Sequence, residues 1–322
     1  MLTLGNFDGV HLGHRALLAA CRARAAGGPV VAVTFDPPPV RVLRPEAEPL
    51  RIDAPADKLR RLREAGADRV EVLEPTPALL AQEAEDFLGG LVDRFAPRAV
   101  VEGPDFRFGR GRRGDFALLA EIGRASGFEA VRLGRAHATL PGGEEVPVSS
   151  SRVRALAAGG RVADAAACLG RPLDRVARVV RGERRGRAIG FPTLNLDPAD
   201  LAGCVVPAEG VYAATVEVVE GPEGAEVPGR PGLPGGVGGW PAAVSIGTKP
   251  TFGGTRRTVE AHLIGFEGDL YGARVRVGFV RWLRGQRRYA GVEALQEALR
   301  ADVAAASAGC QASGAPAPTR TA

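Results

Sequence analysis

The chain has 322 residues, 45% of them apolar and 25% charged, which is the composition of an ordinary globular protein with room for about two domains. A net charge of +5 could suit nucleic acid, but the arginines are scattered among acids and aromatics make up only 5%, so anionic small molecules explain the excess as well and no nucleic acid is required. No run approaches the roughly 20 apolar residues of a membrane helix and no basic-then-apolar leader opens the chain, so no membrane contact and a cytoplasmic location are expected.

Met1–Leu4 is a short apolar run, Asn6, Asp8 and Gly9 are turn and cap residues, and Leu12–Ala26 carries Leu, Ala and Arg with few breakers. That reads as strand, tight loop, helix. His11 and His14 fall three apart at the helix mouth, on one face, with Gly13 between them and Gly9 beneath. An anion placed there would meet both imidazoles and the positive end of the helix dipole, which suits a polyphosphate. A metal pair is the weaker reading, because no third ligand lies nearby.

Pro29–Phe35 reads as a buried strand, Asp57–Ala65 as a helix, Arg69–Leu73 as a strand, Ala78–Phe95 as a helix and Ala99–Glu102 as a strand. Val-rich strands alternating with helices predict parallel βαβ units in a doubly wound sheet, with ligands at the carboxyl ends of the strands. The run from Gly109 to Gly114 matches the dinucleotide pattern GxGxxG with Glu129 about 20 residues on. Three arginines fill its variable positions and Phe106–Phe108 separates it from the strand, so a basic, mobile loop near phosphate is the better reading. Ser149–Ser151 lead into a helix, and Arg152 and Arg154 add forked donors for phosphate oxygens that a simple cap would not need.

From about Leu169 the texture changes to shorter β-type runs with frequent Gly. Val176–Val180, Val211–Val219, Ala242–Ile246, Thr258–Leu263 and Val275–Val280 read as strands of a small antiparallel barrel, closed by a helix over Val292–Ala306. Glu220–Gly239 is Gly/Pro-rich and is expected to be a mobile loop, and 307–322 a disordered tail. Thr193 and Asn195 alternate on one strand, so both oxygens face one side, where a hard cation can be held together with phosphate. The four cysteines are far apart and form no CxxC pair, which leaves neither a zinc knuckle nor a disulfide framework.

The segments GNFDGVHLGH (5–14), TFDP (34–37), EGPDFRFGRGRRGD (102–115) and VSSSRVR (148–154) together resemble the nucleotidyltransferase module of the bacterial bifunctional riboflavin kinase/FAD synthetase family. RRGRAIGFPTLNL, SIGTKPTF, TVEAHL and GDLYG resemble the riboflavin kinase module of the same family, in the expected order. The resemblance implies an α/β Rossmann-like nucleotidyltransferase domain at 1–168 and a β-barrel kinase domain with a C-terminal helix at 169–306.

It also implies two reactions. The kinase module would move the γ-phosphate of ATP to the ribityl hydroxyl of riboflavin, giving FMN, with Thr193 and Asn195 holding Mg²⁺ and phosphate, Glu260 as the base, and Gly186 and Gly190 in the loop around the ATP phosphates. The other module would join FMN to ATP, releasing pyrophosphate. There His11 and His14 would stabilise charge on the α-phosphate, and the loop Gly5, Asn6, Phe7, Asp8 and Gly9 together with Asp105 would fix the nucleotide. Ser150, Ser151, Arg152 and Arg154 would hold the outer phosphates.

Three departures from the family pattern stand out. Pro38 occupies a position where the family usually has His, and Lys249 one where Asn is common. Relatives usually carry a longer lead-in before Gly5, so either the start is late or the first strand is short. A narrower alternative is therefore a riboflavin kinase with a weakened adenylyltransferase. A flavin-binding regulator without turnover would need neither Glu260 nor the histidine pair, and a cytidylyltransferase would lack the PTLN barrel. Weak self-association is compatible with all of these.

Overall fold

The structure, a computed structural model, describes residues 1–182, 186, 189–221, 239–251 and 254–312. Packing divides the chain into two compact units, Met1–Val153 and Arg154–Ala322, with the division inside the helix Ser150–Ala158. The sequence texture places the change later, at 168.

In the first unit, β1 (Leu2–Leu4), β2 (Val31–Phe35), β3 (Arg69–Leu73), β4 (Ala99–Glu102) and β5 (Glu129–Arg132) form one parallel sheet in the order β3-β2-β1-β4-β5. Their apolar runs are buried because helices cover both faces, which is the condition for an all-parallel sheet. One face packs on Leu17, Leu18 and Cys21 of the helix Leu12–Arg24, and the other on Phe87, Leu88 and Leu91 of the helix Ala84–Phe95 and Leu119 of the helix Phe116–Ser126. The order reverses between β1 and β4, so the crevice for a ligand lies at their carboxyl ends. The predicted helix over 78–95 is two helices, Pro77–Leu80 and Ala84–Phe95. The break falls where the Gln82 carbonyl turns away to accept from Arg110 N at 2.8 Å. A small hairpin of β6 (His137–Thr139) and β7 (Glu145–Pro147) follows the sheet.

In the second unit, β8 (Leu173–Val180), β9 (Leu194–Leu196), β10 (Gly210–Glu220), β11 (Trp240–Thr251), β12 (Gly254–Leu263) and β13 (Arg274–Arg284) close an antiparallel barrel in the order β10-β11-β12-β9-β8-β13. Tyr212 and Phe279 meet edge to face inside it at 5.7 Å. The closing helix runs Val292–Ala312, so residues 307–312, expected as the start of a disordered tail, are helical. The reason is burial: Ala306 and Cys310 continue one apolar face against Ala213 and Ala243. Arg284 clamps this helix through a two-pronged pair with Asp302, at 2.8 and 2.6 Å, on a carboxylate only 4% exposed. The rest of the expected tail and most of the Gly/Pro-rich loop lie outside the described residues.

Candidate active sites

At the crevice of the first unit, His11 is the N-cap residue of the helix Leu12–Arg24, and its Nδ1 accepts from the His14 backbone N–H at 3.4 Å. The two rings stack at 3.6 Å with 16° between their planes, and the buried Phe7 ring meets His14 edge-on at 5.1 Å. A Cβ at Gly13 would sit 3.2 Å from the His11 ring, so the glycine between the histidines leaves room for the stack. His14 keeps partial exposure as a residue, yet its Nδ1 is buried with no hydrogen-bond partner. Burial, and then the charge of His11, push its pKa well below the usual value, so it is neutral at neutral pH. A neutral imidazole keeps one N–H, which can donate to an oxygen of an anion.

The loop beneath is held from several sides. Gly9 sits at φ +85° and an added Cβ would come within 2.9 Å of Ile52. Phe7 and Val10 also adopt positive φ, at 49° and 38°. The Asp8 carboxylate accepts from Ile52 N at 2.9 Å, and its carbonyl accepts from Ser150 Oγ at 2.8 Å. The serine cluster therefore divides its work: Ser149 Oγ accepts from Arg152 N as a cap, whereas Ser150 reaches the Gly5–Gly9 loop. Ser151 is exposed, and Arg154 lies one helical turn beyond Ser150 in the same helix. Asn6 is exposed at the crevice, and Gly5 N donates to Val33 O at 3.0 Å. Asp105 follows β4 and pairs with Arg135 at 2.7 Å. The glycine-rich run is anchored rather than free: Phe108 and Gly114 bridge each other, and a Cβ at Gly109 would overlap the Ala84 backbone. It forms a short 3₁₀ turn, without the strand–loop–helix geometry of a dinucleotide fingerprint.

Three supporting residues were given no role by the sequence: Thr34 and Glu102 open two of the segments quoted above, and Lys58 lies in none of them. Thr34 Oγ1 donates to Asn6 O at 3.2 Å, and Lys58 Nζ donates to Thr34 Oγ1 at 3.2 Å and to Phe35 O at 2.7 Å. Burial lowers the Lys58 pKa; Asp36, Asp8 and Asp53 oppose this and Arg51 adds to it. Glu102, 2% exposed, accepts from Leu4 N at 2.6 Å, so a side chain continues the β1–β4 ladder beyond the pair Leu2–Val100. Burial holds its pKa well above the usual carboxyl value. The sign of the pH effect follows. Below the unfolded value near 4.5 both states are protonated; as pH rises toward the higher folded value, the unfolded chain ionises first and stability is lost. We expect Glu102→Gln, which keeps the acceptor, to gain thermal stability over wild type progressively from about pH 4.5 upward; a difference constant from acid to neutral pH would contradict this.

In the barrel, Asn195 of β9 pairs with Glu260 of β12, and Glu260 pairs on its other side with Ser245. Thr193 Oγ1 lies 3.5 Å from Glu260 Oε2. A Cβ at Gly182 would overlap the Asn195 amide, and one at Gly186 would meet the Phe191 carbonyl and stand 3.6 Å from Thr193 Oγ1. Gly186 O accepts from Phe191 N at 2.8 Å, and Gly190 turns at φ +85°. The backbone at Gly182 and Gly186 thus passes directly against the amide and the hydroxyl. An all-oxygen donor set of this kind fits a hard divalent cation shared with phosphate. Among the described residues no cluster of His, Cys, Asp or Glu could hold a metal alone. His262, two residues from Glu260, donates from Nδ1 to Pro192 O at 2.7 Å, and Gln296 of the closing helix donates to Ile189 O at 3.2 Å. The two-residue alternation along β12 was the available signal for His262.

A doubly wound domain with a phosphate-ready helix start at its switch point, joined to a barrel with an oxygen-lined carboxylate, defines a two-domain nucleotide-using transferase. A FAD synthetase family model matches residues 1–151 and a riboflavin kinase model residues 169–309. The bifunctional riboflavin kinase/FMN adenylyltransferase of Escherichia coli K12 is 36% identical over 94% of this chain and 90% of its own, and that of Pseudomonas fluorescens 37% over 95% and 91%. The chain belongs to the bifunctional riboflavin kinase/FMN adenylyltransferase family. A solved structure described as a macrolide-efflux protein from Streptococcus pneumoniae matches with a TM-score of 0.79 at 27% identity, over 95% of this chain and 93% of that one. No described helix here is long and apolar enough to cross a membrane.

Proposed function

We propose that the chain makes FAD from riboflavin in two steps at two sites: the barrel phosphorylates riboflavin with ATP, and the parallel-sheet unit adenylylates the resulting FMN with a second ATP. The observation that carries this reading is that one chain holds both a stacked imidazole pair at a helix start and a carboxylate beside a hydroxyl and an amide. In the barrel, Glu260 takes the proton of the ribityl hydroxyl as its oxygen attacks the γ-phosphorus, and ADP leaves. Thr193 and Asn195 would hold Mg²⁺ and phosphate oxygens, and Gly186 and Gly190 would shape the loop over the nucleotide. The metal, when bound, supplies charge neutralisation to the transferring phosphoryl group.

In the first unit, an FMN phosphate oxygen attacks the α-phosphorus of ATP and pyrophosphate leaves. No protein nucleophile is needed, so catalysis is positioning and charge stabilisation. His11 and His14 face the α-phosphate. Gly5, Asn6, Phe7, Asp8 and Gly9 line the nucleotide with Asp105, and Ser150, Ser151, Arg152 and Arg154 take the outer phosphates. We place the functional division at 168/169 and the protein in the cytoplasm, with at most weak self-association. The test is the co-product: riboflavin with ATP should release ADP, and FMN with ATP should release pyrophosphate. ADP without pyrophosphate would reduce the reading to a riboflavin kinase alone.

A further inference from the structure

We propose that Lys58 is a positioning residue for adenylylation, tying the Gly5–Gly9 loop to the carboxyl end of β2 through one buried ammonium. The inference rests on the phosphate site proposed at His11 and His14. Of the 42 Lys and Arg residues, only Lys58 and Lys249 are lysine. In a chain so strongly biased to arginine, a lysine left at a buried position points to a need for a compact ammonium. Lys58 is that position, at 8% exposure.

The ammonium serves two carbonyls. It donates directly to Phe35 O at 2.7 Å, and to Thr34 Oγ1 at 3.2 Å. The Thr34 hydroxyl, fully buried, passes its own proton to Asn6 O at 3.2 Å. Donor direction is therefore fixed along the chain from Lys58 to Thr34 to Asn6, since an ammonium can only donate and a carbonyl can only accept. Asn6 O begins the peptide that enters Phe7, a residue held at φ +49°. The Phe7 ring borders His14 at 5.1 Å, and His14 stacks on His11. A rotation of the Asn6–Phe7 peptide would shift that ring and, with it, the imidazoles. Arginine does not substitute well, because its planar fork brings five donors to a buried place that offers two acceptors.

The test measures both activities of the full-length protein on Lys58→Met, Thr34→Val and the double variant. Lys58→Met should lower kcat for FMN adenylylation about 10- to 100-fold, the size expected when reacting groups are misplaced by about an ångström. KM for ATP should move by no more than about threefold, and the riboflavin kinase rate should not change. Thr34→Val should also lower kcat, by no more than Lys58→Met does, and the double variant should be no worse than Lys58→Met alone, because both break the one relay to Asn6. If Lys58→Met does not yield folded protein, Thr34→Val carries the test. A wild-type adenylylation kcat in the folded single variants, or losses that multiply in the double variant, overturns the proposal. Retained adenylylation in His14→Ala would instead overturn the site reading on which it rests.

Discussion

His14→Ala is expected to lose FMN adenylylation by about 10²- to 10³-fold, the usual cost of removing one preorganised group that stabilises developing charge. The size follows from the site. His14 is neutral at neutral pH because burial and the charge of His11 both disfavour its protonation. Its buried Nδ1 meets no hydrogen-bond partner, so the ring is held by its stacking on His11 and its edge contact with Phe7. Alanine would also leave the His11 and Phe7 rings without the ring they pack on, so water would enter where charge develops. Riboflavin phosphorylation by the same chain should be unchanged, and assaying both reactions on one preparation checks this directly. A parallel fall in both rates would mean that the substitution had damaged more than one site.

Glu260→Gln is the complementary case. Glutamine keeps size and hydrogen bonding on β12 between Ser245 and Asn195 but cannot accept the hydroxyl proton. Loss of a positioned base costs typically about 10²- to 10⁴-fold. The expected result is that riboflavin persists while supplied FMN is still converted to FAD. Near-normal phosphorylation by Glu260→Gln would mean that Glu260 only faces Thr193 as a polar neighbour.

The parts of the fold that depend on local pattern could be read directly. Val-rich runs gave the parallel strands, and the Gly-spaced histidines marked the helix start, because burial on both faces and a free helix end each leave a local signature. What escaped depends on distant partners. Glu102 looks like an ordinary strand end until Leu4, 98 residues away, donates to it, and Lys58 looks like a helix surface residue until Thr34 and Phe35 are seen beneath it. The serines offered three equivalent hydroxyls, and only the fold assigns the cap to Ser149 and the reach toward Asp8 to Ser150. The hairpin of β6 and β7 was missed because three-residue strands carry too little alternation to count. The closing helix ran past its predicted end because Ala306 and Cys310 bury a face that composition alone did not reveal.

The central claim is that two independent sites in one chain act in sequence on the flavin. Its most direct test mixes the two single variants, His14→Ala and Glu260→Gln, with riboflavin, ATP and Mg²⁺, and follows riboflavin, FMN and FAD by chromatography. Separately, the first should stop at FMN and the second should leave riboflavin untouched. Together they should form FAD, as FMN released by one is taken up by the other; a mixture that forms no FAD would contradict the account.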